Sequence, residues 1–572
     1  MQKLERKKKY KDTAPEKTVE FIKGLLEHYG IKTEEHYHHI DTADINSCRL
    51  RIANEGIAEL NIGTNGKGMN LEYTRASAYG EFMERLANNY LIPGYDTNND
   101  GFIYLKKEDA APLIKDYCRK VFGGNEVVSD YFINDFYDED ILFLAFDDVL
   151  ESRKVYLPFS LAVYLTGSNG MCAGNSREEA VIQGISEIFE RLVHFELVFH
   201  KITPPEIPLD YFAGTEVSER LGQLDKAGYK PRILDLSLGR GFPVIGLILY
   251  HGNKYRVKLG SDPSPITALE RCFTEIFQGY DRIDDSLFIS MEQQESDREE
   301  FKGSDTDFWY KHFNMGINNG SGGFPLNTSA ENSAPDYEFK GFEHPVSISN
   351  EDDLNYYISI IKRNNKKLYI SDRSSLGFPV YYILIPTYSE NMITDDDGRF
   401  FVERTGCAVR KSGLQRVHSL NNEELLSLAD NLVKWFDTYS AANNYVNSIF
   451  KYCSFESFHK YKAIAYLYAC GGDRTKAMEY LDRYFKTPAG KTDRQLFVRR
   501  NVEEGDIHKC FPADAWPQCP DCDKCGIKEH CHLEEINKLN RRIRETAAKA
   551  QQFITRHKEA NEYRIPRSYD SE

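Results

Sequence analysis

Long apolar runs are scarce in these 572 residues. The longest, such as FPVIGLILY at 242–250, fall far short of the roughly 20 residues a membrane-spanning helix needs, so no membrane span is expected. The opening MQKLERKKKYKDTAPEK is basic, but no apolar stretch follows it, which argues against a secretory signal. An excess of positive charge is lacking as well. Lys and Arg number 72 against 88 Asp and Glu, a formal charge of −16, which disfavours an extensive nucleic-acid-binding face yet leaves room for local basic pockets. A disulfide framework is also missing. Eight of the twelve cysteines, Cys48 to Cys510, are widely scattered, and four crowd into 519–531, the pattern of a metal site in a reducing compartment. What remains is ordinary: 41% hydrophobic, 28% charged and 13% aromatic residues, enough for sizeable cores. A multidomain protein of the cytoplasm is the expectation, with a homodimer allowed.

Up to about residue 410 the chain alternates β-rich runs with helical patterns. SCRLRI (47–52), VYLPFSLAVYL (155–165), RILDLS with FPVIGLILY (232–250), and LYISD with VYYILIP (368–386) read as strands, punctuated by Gly, Asn, Asp and Pro. Strands interleaved with helices predict a mixed α/β domain over 1–410. The polar stretch 316–336 reads as a surface loop. Residues 411–502 turn helical, with AIAYLYACGGDRTKAMEYLDRYF (463–485) patterned as a tetratricopeptide-like hairpin about Gly471-Gly472-Asp473. Residues 503–572 hold the cysteines and a charged helix near 533–563.

The most informative feature is a repeat among three helices. Ser77-x3-Glu81-x2-Glu84-Arg85, Gln183-x3-Glu187-x2-Glu190-Arg191 and Arg271-x3-Glu275-x2-Gln278 share one register. At about 100° per residue, Tyr79, Phe82, Met83, Leu86 and Tyr90 form an apolar stripe opposite the first polar triplet. Ile185, Ile188, Phe189 and Leu192 do so in the second copy, and Phe273, Ile276, Phe277 and Tyr280 in the third. One polar helix face is normally just solvated. Three in matching register are not required by solvent, and Glu pairs at i, i+3 mildly repel. Converging helices would bring five carboxylates and an amide together, ionised only beside cations. Hard oxygen donors of this kind point to magnesium, shared with phosphate oxygens, and their number to more than one ion.

The runs Gly63-Thr-Asn-Gly66-Lys67-Gly68 and Gly167-Ser-Asn-Gly170-Met-Cys-Ala-Gly174-Asn175 precede the first two helices. Glycine lets backbone amides approach an anion closely, although a Ser176-x2-Glu179 capping box makes plain turns an alternative, and neither run is a Walker motif. Arg191 and Arg271 add fixed positive charge, as a polyphosphate needs.

These motifs, TNGKG, SAYGEFMERL, SNGMCAGNSREEAVIQGISEIFER and ALERCFTEIFQG, resemble the YcaO family in order and spacing, from about Lys11 to residue 410. The resemblance implies a YcaO-type ATP-binding α/β fold of repeated strand–helix units. It implies magnesium ligands at Glu81, Glu84, Glu187, Glu190, Glu275 and Gln278, with Glu187, Glu190 and Gln278 at the reacting centre. Lys11, Thr18, Ser77, Gln183, Arg191 and Arg271 would contact the ATP. The implied chemistry is ATP-dependent activation of a peptide-bond carbonyl in a peptide or protein substrate, giving azolines or thioamides. An alternative the family also implies is an ATP-binding accessory factor for methylthiolation of a small-subunit ribosomal protein, with a methylthiotransferase or sulfur donor as partner. Family heterocyclases commonly end in a proline-rich tail; this chain ends RIPRSYDSE.

Separately, CPDCDKCGIKEHC places Cys519, Cys522, Cys525 and Cys531 at C-x2-C-x2-C-x5-C spacing. Four thiolates suit a tetrahedral structural zinc or a 4Fe-4S cluster, with Cys510, His530 and His532 as alternates.

Overall fold

The structure, a computed structural model, describes residues 11–92, 101–123, 141–301, 305–319, 334–344, 349–391, 414–438, 460–487, 495–510 and 538–547, with a few short stretches and single positions besides. Cys519, Cys522, Cys525 and Cys531 lie outside the described residues, as do His530 and His532.

Helix α1 (Pro15–His28), with proline in its first turn, leads into β1 (Thr33–Ile40), β2 (Ile45–Ile52) and β3 (Gly63–Gly68), a sheet of that order on which α2 (Leu71–Ala87) packs. Next come β4 (Phe102–Leu105), α3 (Lys107–Phe122), β5 (Ile141–Asp148), β6 (Arg153–Pro158), α4 (Phe159–Thr166), β7 (Met171–Ala173) and the long α5 (Arg177–His200). β8 (Glu206–Ile207), α6 (Glu216–Lys226), β9 (Lys230–Asp235), β10 (Val244–His251), β11 (Lys254–Ser261) and α7 (Pro265–Glu275) follow. The domain continues through β12 (Ile289–Ser290), α8 (Met291–Glu300), α9 (Asp305–Asn319), α10 (Asn350–Arg363), β13 (Tyr369–Asp372) and β14 (Val380–Leu384). Two further sheets run β12-β11-β10-β9-β8 and β4-β5-β13-β14-β7, with β6 on β5, and every pairing among the described residues is antiparallel. The result is the expected mixed α/β architecture.

The internal repeat has a structural counterpart. Each of α2, α5 and α7 follows a strand, β3, β7 and β11, and lies directly on it at a glycine. A Cβ added to Gly66 would sit 2.2 Å from the Thr74 carbonyl oxygen, one on Gly174 2.6 Å from the Ala180 nitrogen, and one on Gly260 2.3 Å from the Ala268 oxygen. Only hydrogen permits that approach of helix backbone to strand. The stripes are buried as the periodicity predicts: Tyr79, Phe82, Met83, Ile185, Ile188, Phe189, Phe273 and Phe277 are fully inside. Tyr280, just past the end of α7, is only half-buried, and Tyr90 departs further. Tyr90 lies beyond the end of α2 and is 43% exposed.

Four local expectations are corrected. Within 155–165 only the first residues are strand, because FSLAVYLT forms α4 after Pro158. TNGKG is not a loop before a helix but most of β3, its glycines seating α2. Residues 316–319 belong to helix α9, not to a loop. Gln278 lies in the turn after α7, which ends at Glu275.

The C-terminal helices are α11 (Asn422–Thr438), α12 (Lys460–Gly471), α13 (Arg474–Phe485) and α14 (Gln495–Glu504). Their core, including Leu428, Leu432, Leu467, Leu481 and Val498, is drawn wholly from 417–510. The α12–α13 hairpin turns at Gly472, φ 95°, and Asp473 caps α13 by accepting from the Lys476 amide. Ile536, Leu539 and Ile543 instead join the core of α1 and α2. Among the described residues no helix is long and apolar enough to cross a membrane.

One half-buried group predicts a pH dependence. Burial raises the Glu390 carboxyl to about 7, and its Oε1 accepts from the Tyr117 hydroxyl at 3.5 Å. A carboxyl raised above its unfolded value binds a proton on folding, so its stabilisation is complete below about pH 4.5 and lost as pH rises through 7. Glu390→Gln is expected to remove this dependence and gain on the order of 2 kcal/mol at pH 8. Urea unfolding at pH 5 and pH 8 checks it; equal responses in both proteins would refute it.

Candidate functional site

The polar faces of α2, α5 and α7 open into one cleft of about 780 Å³. All twelve candidate residues of the α/β domain line it: Lys11, Thr18, Ser77, Glu81, Glu84, Gln183, Glu187, Glu190, Arg191, Arg271, Glu275 and Gln278. Glu81 and Glu84 come from α2, Gln183 and Glu187 to Arg191 from α5, and Arg271 and Glu275 from α7. Gln278 is held by the turn that follows, where its amide donates to the Glu275 carbonyl (3.2 Å) and the Gly279 amide to Ser47 Oγ (2.8 Å). The buried Arg256 fixes the same turn by donating to the Ile276 carbonyl at 2.5 Å.

Carboxylates and cations alternate through the cleft. Arg85 lies 3.2 Å from Glu84 and 3.6 Å from Glu81. Arg191 pairs with Glu187 one helical turn away. Arg271 donates to Gln183 Oε1 at 2.6 Å and to the buried Asp262 at 3.2 Å. Glu275 is held by Lys67 and by Lys258, the latter at 3.0 Å.

At the far wall Lys11 reaches Glu179 at 3.2 Å, and Thr18 Oγ1 donates to Asn175 Oδ1 at 2.8 Å. Ser176 caps α5 by accepting from the Glu179 amide (3.2 Å), as a capping box requires. The Glu179 carboxylate, though, receives Lys11, the Asp12 amide at 2.9 Å and Asn175 Nδ2 at 3.1 Å. It thereby ties the chain before α1 to the head of α5.

Burial and charge divide these acids. Burial, reinforced by Glu187 and Glu81 against Arg85, drives Glu84 well above the ordinary carboxyl range, and its Oε1 accepts no hydrogen bond. Glu190 is raised to about 7 by burial and by Glu275, and among the described residues no ion pair within 4 Å includes it. Glu275 is the opposite case. Burial pushes it up, but Lys67 and Lys258 outweigh that and hold it at about 2. His194, buried beside Lys258 and Arg191, is pushed down to about 3 and stays neutral.

The donor set fits magnesium. It is all oxygen, its buried Glu84 and half-buried Glu190 have too little compensating charge, and a divalent cation supplies what they lack. Among the described residues the acids of this cleft do not meet in threes within 4.8 Å; the group that does is His344, Asp352 and Asp353 at the start of α10. Carboxylates spaced more widely suit ions whose shells are completed by phosphate oxygens.

Residue pattern alone assigned no place in the site to Lys67, Arg85, Glu179, Lys258 or Asp262. Lys67, Arg85 and Glu179 sit inside the motifs, in TNGKG, MER and SREE, and a demand for charge balance would have flagged them. Lys258 and Asp262 carry no motif and enter only because β11 runs beneath α7.

A family model described as "YcaO cyclodehydratase, ATP- and Mg2+-binding" matches residues 65–389. The chain is 29% identical over 354 residues to the ribosomal protein S12 methylthiotransferase accessory factor YcaO of Escherichia coli K12, and 29% over 356 residues to an uncharacterised protein of Haemophilus influenzae. Each alignment covers 58% of this chain and 58% of the relative, so the chain spans little more than half the length of the curated relatives it matches. Among solved structures, a heterocyclase in complex with substrate and cofactor superposes with TM-score 0.46 at 19% identity, over 68% of this chain and 54% of that one. YcaO from Methanopyrus kandleri bound with AMPPCP and Mg2+ gives 0.41 at 17%, over 66% and 92%. The matched model spans more than half of the residues, including all three carboxylate-bearing helices, and the chain belongs to the YcaO family.

Proposed function

We propose that this protein binds ATP with magnesium in the cleft and uses it to phosphorylate a backbone amide oxygen of a peptide or protein. The observation that supports this most strongly is the meeting of three equivalent strand–helix units, whose acids and cations all line one cleft. Glu81, Glu84, Glu187, Glu190, Glu275 and Gln278 would hold the ions, and Lys11, Thr18, Ser77, Gln183, Arg191 and Arg271 the nucleotide. Magnesium, when bound, neutralises phosphate charge and polarises the transferred phosphoryl group.

In the reaction, the amide carbonyl oxygen attacks the γ-phosphorus and the bond to the β-phosphate oxygen breaks, releasing ADP. Attack by a Cys, Ser or Thr side chain, or by sulfide, on the activated carbon then expels phosphate. Arg191 and Arg271, on rigid helices, would stabilise charge that develops on the phosphoryl oxygens. His194, neutral and buried, adds no competing charge.

The test is ATP turnover and metal dependence of the purified protein, with and without candidate peptides. Turnover that is magnesium-independent, or absent with every peptide and without any, overturns the reading.

A second reading, an accessory factor for methylthiolation, is favoured by the separately cored helical unit at 417–510, which could dock a methylthiotransferase. Dependence of ribosomal-protein methylthiolation on this ATP-binding protein, with no peptide modified by the protein itself, would select it. At the C-terminal cysteines we propose zinc or an iron–sulfur cluster, read by metal analysis of anaerobically purified protein.

A further inference from the structure

Glu275 differs from the other acids of the cleft in having two ammonium partners. Lys67, from β3, bonds Oε1, and Lys258, from β11, lies 3.0 Å from Oε2. The side chains of Lys67, Lys258 and Glu275 are 30%, 13% and 11% exposed, so water screens them little. One carboxylate flanked by two cations leaves surplus positive charge at this spot. One divalent ion carries the same charge as the two ammonium groups.

Neither lysine is carried by a polar helix face. Both stand on the strands that seat the carboxylate helices: Lys67 is next to Gly66, under α2, and Lys258 is two residues before Gly260, under α7. Their backbones are therefore fixed, while four-carbon stems leave the ammonium groups free to swing.

We propose that Lys67 and Lys258 are placeholder cations, which hold Glu275 when no divalent ion is bound and are exchanged for magnesium when it binds. This rests on the assignment of Glu275 as a magnesium ligand. Exchange makes ion uptake a swap of like charge, so Glu275 keeps its place between catalytic cycles.

The experiment measures magnesium alone, without nucleotide, by isothermal titration at pH 8, where protons compete least. Lys67→Met and Lys258→Met are each expected to bind magnesium roughly tenfold more tightly than the wild type, because a charge-assisted hydrogen bond no longer has to be broken. Lys11→Met removes the same charge from the same cleft without touching Glu275, and is expected to change affinity less than about twofold. Replacing either partner of Glu275 should also lower the unfolding midpoint of the ion-free protein, with the loss recovered at saturating magnesium. In a Glu275→Gln background the effect of Lys67→Met should vanish. Unchanged or weaker magnesium binding in both lysine variants, or equal tightening in Lys11→Met, overturns the exchange. If Lys67→Met does not fold, Lys258→Met decides alone. Wild-type protein that takes up no magnesium at all removes the underlying ligand assignment, a result distinct from wild-type binding that the lysine variants fail to tighten.

Discussion

Glu187→Gln and Glu190→Gln are each expected to lower ATP turnover by at least about 100-fold while leaving the fold intact. Both side chains lie on the cleft face of α5, away from its buried stripe, and glutamine keeps the shape while removing the charge. Loss of an ionic ligand beside phosphate costs several kcal/mol of charge stabilisation, and about 1.4 kcal/mol is a factor of ten in rate. The two variants should part company in stability. Glu187 is paired with Arg191, so its replacement strips a half-buried guanidinium of its partner and lowers stability slightly. Glu190 has no such partner within 4 Å among the described residues, and burial already disfavours its charge, so Gln there should raise stability at pH 8. Activity falling together while stability moves in opposite directions would separate ligand loss from damage to the fold. Unchanged turnover in both variants would remove the proposed magnesium site.

The second large effect is expected at Gly66. A methyl group there would lie 2.2 Å from the Thr74 oxygen and 2.4 Å from the Ala78 nitrogen, both backbone atoms, so α2 itself must move. Overpacking of this kind costs roughly 1–3 kcal/mol, and a contact with backbone belongs at the upper end. The displaced helix carries Ser77, Glu81 and Glu84, so Gly66→Ala should lose magnesium-nucleotide affinity beyond what its stability loss explains. Gly80, on the same helix, would have nothing within 4 Å of an added methyl group and serves as the control. Equilibrium unfolding and nucleotide titration of Gly66→Ala against Gly80→Ala measure both. Equal behaviour of the two would mean that the close approach does not position the helix.

How much of this was legible beforehand follows from the kind of information each feature needs. Amphipathic periodicity is local, so the buried stripes of α2, α5 and α7, and the register of their polar triplets, could be read from residue spacing alone. The strands at 45–52, 230–251 and 369–384 announced themselves through β-branched and aromatic runs. The run 155–165 misled for the same reason. Its Val, Tyr and Leu suit a strand by propensity, yet the segment buries Phe159, Leu161, Ala162 and Leu165 as a helix after Pro158, and tertiary packing decided it.

Sequence by itself determined the family, the three helices, their charged faces and the oxygen-only character of the donor set, because these depend on residue type at fixed short spacing. Only the tertiary structure decided how the charge is balanced. Lys67 and Lys258 are 208 and 17 residues from Glu275, on two different strands, and Lys11 meets Glu179 across 168 positions. No periodicity links such positions. They meet because glycines at 66, 174 and 260 let three helices lie directly on their strands, and the electrostatics of a buried carboxylate is set by whatever charge that packing brings within a few ångströms.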